Sequence, residues 1–213
     1  MQASGAWGIV VGLREELSPT PNEGAAVMDA LAHTLRHPYL PPERQMRAYL
    51  DESVPLAGGS RACPAPSTVA RLLGEAGIED GARVLVVGLG TGYPAALAAA
   101  LGARVTAVES SRTLGERAVT ALSAQGLDVD LRDGLRFLDA ARPERFDNVV
   151  FCGSVPALPR TAIASLRPGG TLVVPVRQLG ETVLLAVSRT SRGHRRKERG
   201  PIDISALPPA LND

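Results

Sequence analysis

Aromatic residues are scarce in this chain: three Phe, three Tyr and one Trp make up 3% of its 213 residues. A sizeable core must therefore be built from Val, Leu, Ile and Ala, and with hydrophobic residues at 45% there are enough of them. Neither sign of charge is in excess, since 23 Lys and Arg stand against 22 Asp and Glu for a formal +1. That argues against a general nucleic-acid binder, whose phosphate contacts call for a marked basic surplus, and no nucleic-acid partner is expected. The only cysteines, Cys63 and Cys152, lie far apart with no CxxC pairing, which excludes a disulfide framework and a thiolate zinc site. Free thiols point to a reducing compartment. His33, His37 and His194 show no ligand spacing, so no metal is expected. No apolar run approaches the roughly 18 residues of a membrane helix, and no basic-then-apolar leader opens the sequence. The expectation is a cytoplasmic chain with no membrane partner.

What is present is the length for one full α/β domain. The chain changes character near Gly81. Before it, Asn22 to Arg36 has helical apolar spacing, broken by Pro38, Pro41 and Pro42. Glu43 to Tyr49 reads as a short helix, and Val54 to Pro66 as a Gly/Pro/Ser-rich loop. Ser67 to Ala76 reads as helix, with Ser67 or Thr68 as its cap. After Gly81, short β-branched runs alternate with Ala/Leu-rich helical segments, the pattern of a parallel sheet with crossover helices. Strands are predicted at Arg83–Val87, Arg104–Val108, Val129–Leu131, Asn148–Cys152 and Thr171–Val176, with Thr182–Ser188 and Ile202–Ser205 closing the sheet. Helices are predicted at Tyr93–Leu101, Ser111–Gln125, Leu135–Ala141 and Pro159–Leu166. Ser191 to Gly200 reads as disordered, a solvated hairpin loop carrying Arg192, Arg195, Arg196, Lys197 and Arg199, with a grip on an acidic peptide as the functional alternative. The division is an N-terminal helical and substrate-loop extension over 1–80, and a core over 81–213 that forms one compact unit.

Chemistry concentrates after the first core strand. Val84-Leu85-Val86-Val87 runs into Gly88-Leu89-Gly90-Thr91-Gly92, an apolar strand feeding a glycine turn and then a helix. Glycine there permits a sharp bend and close approach of a ligand, and N–H groups at the helix start face it. The dinucleotide pattern G-x-G-x-x-G calls for Gly or Ala at position 93, where this chain has Tyr93. That weighs against NAD. Glu109, followed by Ser110 at the end of the second strand, can accept from both hydroxyls of a ribose, in AdoMet or NAD alike. Asp133, after the third strand and in register with Glu109, can accept from an adenine amino group, while Gly134 lets the backbone come close.

The residues then match a known family. Arg36-His37-Pro38-Tyr39-Leu40-Pro41 resembles the R-H-x-F-V-P of the protein-L-isoaspartate O-methyltransferases. Ala48-Tyr49-Leu50-Asp51 with Pro55-Leu56 resembles their A-Y-x-D-x-P-L, and Val84-Leu85 with Gly88 to Tyr93 and Ala95-Ala96 resembles V-L-E-I-G-T-G-S-G-Y-x-A-A. Val108-Glu109, Asp133-Gly134, Phe146-Asp147, Pro168-Gly169-Gly170 and Pro175-Val176 continue in order, so the resemblance covers nearly the whole chain. It implies an α/β, Rossmann-like seven-stranded fold that binds S-adenosyl-L-methionine (AdoMet) through Gly88, Leu89, Gly90, Thr91, Gly92, Glu109, Ser110, Asp133 and Gly134. The implied reaction is methylation of a carboxylate on a peptide or protein partner. No acid–base residue is assigned, because a carboxylate with an ordinary pKa near ~4 is already a nucleophile at neutral pH.

Two departures stand out. The acid of V-L-E-I-G is Val86 here. The substrate loop G-x-G-Q-T-I-S-x-P is one residue shorter, and reads Gly58-Gly59-Ser60-Arg61-Ala62-Cys63-Pro64-Ala65-Pro66. Ser60, Arg61, Ala62 and Cys63 are the candidate acceptor-side residues, with Arg61 placed to pair with a carboxylate. The altered loop points to a dedicated peptide substrate, an aspartate in a ribosomally made peptide. The competing readings are a degenerate relative that acts as a non-catalytic binding partner, or an AdoMet-dependent enzyme with a different acceptor. Cys152-Gly153-Ser154-Val155 is not the N/D-P-P-Y of nucleobase amino-methyltransferases.

Overall fold

The computed structural model describes residues 21–56, 61–134 and 145–211. Its centre is strand β3 (Arg83–Val87), whose alternate residues serve two different cores. Val84 and Val86 point into one cluster and Leu85 and Val87 into another. Side chains alternate faces along a strand, so a run with no polar residue is what a sheet covered on both sides demands. The result is an α/β/α sandwich, as expected.

The first cluster is capped by α1 (Pro21–His33), α2 (Pro66–Ala76), α3 (Tyr93–Ala100) and α4 (Arg112–Ala124). The second lies beneath α5 (Arg160–Ser165) and the segment ending at Leu211. Seven strands lie between them in the order β5-β4-β3-β6-β7-β8-β9. These are β4 (Arg104–Glu109), β5 (Asp130–Asp133), β6 (Phe146–Phe151), β7 (Leu166–Gln178), β8 (Glu181–Thr190) and β9 (Gly193–Pro201) beside β3. The five from β5 to β7 are parallel, while β8 and β9 return antiparallel. Strand order reverses at β3, which places the crevice between the ends of β3 and β6 at the switch point where α/β proteins bind ligands.

Several local departures from the sequence reading have physical causes. Helix α1 stops at His33, and the chain tightens into 3₁₀ turns at His37–Tyr39 and Pro42–Arg47 in place of the expected Glu43–Tyr49 helix. Pro42 opens the second turn and holds Pro41 before it in extended geometry, at φ -53° and ψ 141°. The loop expected over Val54–Pro66 contains a small antiparallel ladder, β1 (Val54–Pro55) with β2 (Ala62–Cys63). Neither Ser67 nor Thr68 caps α2. Pro66 opens it, and the Ser67 amide instead donates to the Asp51 carboxylate at 2.9 Å. The proline-glycine segment before Thr171 lies within β7, where it shifts the register against β6 between Phe146 and Asn148. The third strand is Asp130–Asp133, two residues beyond the predicted end. The expected helix Leu135–Ala141 lies outside the described residues.

The largest correction is at the C-terminal edge. The basic run expected as a loop is strand β9, and Ile202–Ser205 is not a strand. Thr190 pairs with Gly193 across the two-residue turn Ser191-Arg192, and Arg195, Arg196, Lys197 and Glu198 pair with β8. Helix α2 braces this strand: Arg71 donates to the carbonyls of Arg199 and Pro201, and Arg199 pairs with Glu75 at 2.7 Å. An edge strand needs only one neighbour and tolerates a charged, exposed face, which hides its periodicity from the sequence. Ile202 gives one further backbone bond to Thr182, and the chain then leaves the sheet to cross its carboxyl edge. Among the described residues, no helix is long and apolar enough to cross a membrane.

Candidate active site

The glycine turn leaves β3 at the switch point, as the spacing requires. Gly88, Gly90 and Gly92 all take positive φ, at 81°, 60° and 106°. The amides of Gly88 and Leu89 both donate to the Val108 carbonyl, at 2.9 and 3.1 Å, which folds the turn against the end of β4. Gly88 also admits close approach: a Cβ there would collide with the side chain of Leu207. Leu89 and Thr91 are buried, and the Thr91 hydroxyl has no hydrogen-bond partner.

Glu109 ends β4 and is buried. Its Oε2 accepts from the Gly90 amide at 2.8 Å, and its Oε1 from the amides of Ser110 and Ser111, each at 3.0 Å. It pairs across the ladder with Asp133, so the two acids occupy matching positions at the carboxyl ends of β4 and β5. Asp133 is exposed and Gly134, at φ 66°, is half-buried. Two cavities flank this edge. One of about 560 Å3 is lined by Glu109, Ser110, Gly115, Leu131 and Asp133. The other, of about 480 Å3, lies between Ser110, Ser111, Leu114, Arg61 and the segment Ala206–Pro209.

Arg61 enters the site from the other side, 48 residues earlier in the chain. Its Nη1 and Nη2 donate to Glu109 Oε1 and Oε2 at 3.1 and 3.3 Å, and Nη2 also reaches the Gly88 carbonyl at 3.3 Å. Sequence reasoning gave Arg61 to an acceptor and Glu109 to a ribose. The structure joins them to each other. Ala62 and Cys63 sit on β2, and Ser60 lies outside the described residues.

The turn is held to the N-terminal part of the chain by Arg36. Its buried guanidinium donates to the carbonyls of Glu52 and Pro64 at 2.9 Å, of Leu50 and Cys63 at 3.3 Å, and of Ala48 at 3.5 Å. It also lies over the Tyr93 ring, 5.8 Å from the centroid. Burial pushes the Tyr39 phenol up to about 12 and raises that of Tyr93 further. Cys63 and Cys152 are buried free thiols. Burial raises both, Cys152 to about 12. Val86, at the place of the missing acid, is fully buried between Ala107 and Val150.

One component escaped the sequence reading. The segment from Ser205 forms a parallel bridge to Ser154, with the Ser154 amide donating to Ser205 and the Leu207 amide donating to Ser154, both at 2.9 Å. Leu207 thereby covers the turn. Gly153 makes room for it, since a Cβ there would lie 2.6 Å from Leu207 Cδ2. The apolar cluster Ala206-Leu207-Pro208-Pro209-Ala210-Leu211 was the available signal.

Comparison with known proteins agrees with this architecture. The sequence profile of the family described as protein-L-isoaspartate(D-aspartate) O-methyltransferase matches residues 15–200. A protein-L-isoaspartate O-methyltransferase from Methylorubrum populi is 35% identical over 186 residues, covering 86% of each chain. Another from Gloeobacter violaceus is 33% identical over 195 residues, covering 91% of this chain and 95% of that one. Among solved structures, a protein-L-isoaspartate O-methyltransferase superposes with a TM-score of 0.82 at 19% identity, over 97% of this chain and 67% of that one. A Plasmodium falciparum chain assigned to the same family, solved in complex with S-adenosyl-L-homocysteine (AdoHcy), gives 0.78 at 17% identity over 94% and 97%. The seven-stranded fold is therefore that of the solved members, and on the sequence match this chain belongs to the protein-L-isoaspartate(D-aspartate) O-methyltransferase family.

Proposed function

We propose that this chain performs the reaction its family is named for, an AdoMet-dependent methylation of the free carboxylate of an isoaspartyl residue in a peptide or protein. The observation that carries the reading is the register of Glu109 against Asp133 beside the glycine turn. Two acids at the ends of adjacent parallel strands, next to a turn of three glycines at positive φ, are placed as acceptors for the ribose and the adenine of a nucleoside. The residues present fit that group. Thr91 lies in the turn with a buried, partnerless hydroxyl, and Ser110 and Ser111 line both flanking cavities. Gly88, Leu89, Gly90, Thr91, Gly92, Glu109, Ser110, Asp133 and Gly134 form the proposed cofactor site, and residues up to 80 the acceptor-side extension.

When bound, AdoMet supplies a methyl group on a positively charged sulfur. The protein's part is to position and to exclude water. Leu207, Leu114 and the segment Ala206–Pro209 close an apolar wall over the site. Such enclosure strengthens the few polar contacts inside and holds an ionised oxygen in line for transfer without a proton-accepting residue.

Methyl transfer from labelled AdoMet to an isoaspartyl peptide and to its aspartyl isomer tests the proposal. Label is expected on the isoaspartyl peptide alone, and to be lost in Glu109→Ala. Label on neither peptide refutes it. Label on the aspartyl isomer instead favours a dedicated peptide substrate, the reading that Arg61, Ala62 and Pro64 in the shortened loop motivate.

A further inference from the structure

Glu109 carries more donors than a carboxylate has lone-pair sites. Three backbone amides and two guanidinium nitrogens converge on it, against about four sites in all. A ribose presents two hydroxyls that both need these oxygens. The amides of Gly90, Ser110 and Ser111 are fixed by the end of β4 and by the turn. Only Arg61 can leave.

Its bonds are built for leaving. At 3.1 and 3.3 Å they are longer than the roughly 2.7–2.9 Å of a tight charge-assisted pair. Its Nε is buried with no partner, so the guanidinium is incompletely satisfied where it lies. Its backbone, in contrast, is anchored. The Arg61 carbonyl accepts from the Leu56 amide at 2.8 Å, the β1–β2 ladder follows, and Arg36 holds the carbonyls of Cys63 and Pro64. The side chain can swing while its root stays fixed.

A guanidinium displaced inside an enclosed site requires a new anion, because an uncompensated buried charge is strongly unfavourable. The acceptor of the proposed reaction brings one, its carboxylate. We propose that Arg61 is an exchangeable counter-ion, paired with Glu109 as the structure shows it, displaced when a cofactor's ribose engages that carboxylate, and then captured by the acceptor's carboxylate. This rests on the functional reading above. It makes Arg61 a residue that selects carboxylate acceptors, and it couples the two ligands: each favours the other because both favour the swung-out arginine.

The test is AdoHcy binding by calorimetry to wild type, Arg61→Ala and Arg61→Met, with and without a saturating isoaspartyl peptide. Both variants are expected to bind AdoHcy alone about ten-fold tighter than wild type, which is ~1.4 kcal/mol. The peptide should tighten AdoHcy binding several-fold in wild type and leave both variants unchanged. In turnover, KM for AdoMet should fall in the variants while KM for the peptide rises ten-fold or more. A merely structural arginine would weaken both ligands together. AdoHcy binding no tighter in either variant than in wild type overturns the exchange and leaves the functional reading standing. No AdoHcy binding by any of the three proteins overturns both.

Discussion

Replacing Arg36 with methionine should destabilise the fold far more than a single side chain ordinarily does. The guanidinium is 2% exposed and serves five backbone carbonyls, from Ala48, Leu50, Glu52, Cys63 and Pro64. These carbonyls come from two segments, 48–52 and 63–64, that flank the short β1–β2 ladder, so Arg36 extends the tie between them beyond the ladder's two residue pairs. Hydrogen bonds to a charged donor contribute roughly 1.5–3 kcal/mol each, but they are not additive, and the carbonyl of Ala48 at 3.5 Å counts for little. Leaving buried carbonyls without a donor costs about 1–3 kcal/mol each before relaxation, so the loss of the whole set comes to roughly 3–5 kcal/mol. For a chain of this length each kcal/mol lowers Tm by ~2–4 °C, so Arg36→Met should melt roughly 6–20 °C below wild type. Arg36→Lys keeps the charge but offers three donors from one point, and should recover about half of the loss. Differential scanning calorimetry at neutral pH reads both. A methionine variant melting within ~2 °C of wild type would refute the reasoning, since each kcal/mol should register at least that much.

Three further predictions follow from burial at the site. Gly88→Ala forces a side chain into the left-handed region and against Leu207, so AdoHcy binding should fall at least ten-fold by calorimetry; unchanged affinity would show that the Leu207 contact yields freely. Cys63 and Cys152 should resist iodoacetamide at pH 8 in the native protein and both react in denaturant, with mass spectrometry counting the adducts. Because burial raises the Cys152 thiol from its unfolded value near 9 to about 12, its contribution to stability is complete below pH 9 and is lost as pH climbs toward 12. Cys152→Ala should therefore show a shallower fall in Tm between pH 9 and 11 than wild type, and parallel curves would exclude the thiol as the cause.

The parts of the fold legible in the sequence were those written in local pattern. Strand β3 has the predicted bounds, and β4 and α3 differ from prediction by one residue at an end, because continuous apolar runs punctuated by Gly88, Gly92 and Gly102 admit few alternatives. Glu109 and Asp133 are opposite each other as expected, although β5 carries no such run and ends two residues beyond its predicted end. Strand β9 was hidden by its charge, and the β1–β2 ladder by proline and glycine. The Arg61–Glu109 pair was illegible for a different reason: it joins residues 48 apart, and nothing in either local pattern encodes the meeting. Arg36 was visible only as part of a motif, and its work on five carbonyls appears only once the chain is folded around it.

The charged outer strand has a consequence for how copies of this protein meet. The sheet ends at β9, where Arg195, Arg196 and Lys197 are ranged along an exposed edge. A second copy adding itself there edge to edge would set cation against cation about 5 Å apart, inside the ~8 Å over which physiological salt screens charge. At the opposite end β5 is only four residues long, and Asp130 is already paired with Arg132 at 2.8 Å. Head-to-tail stacking of β5 on β9, the arrangement that would grow without limit into fibres, therefore finds a short and self-neutralised partner. Concentrated solutions should stay free of sheet-templated assembly at physiological ionic strength, and lose that protection as salt is raised toward molar levels.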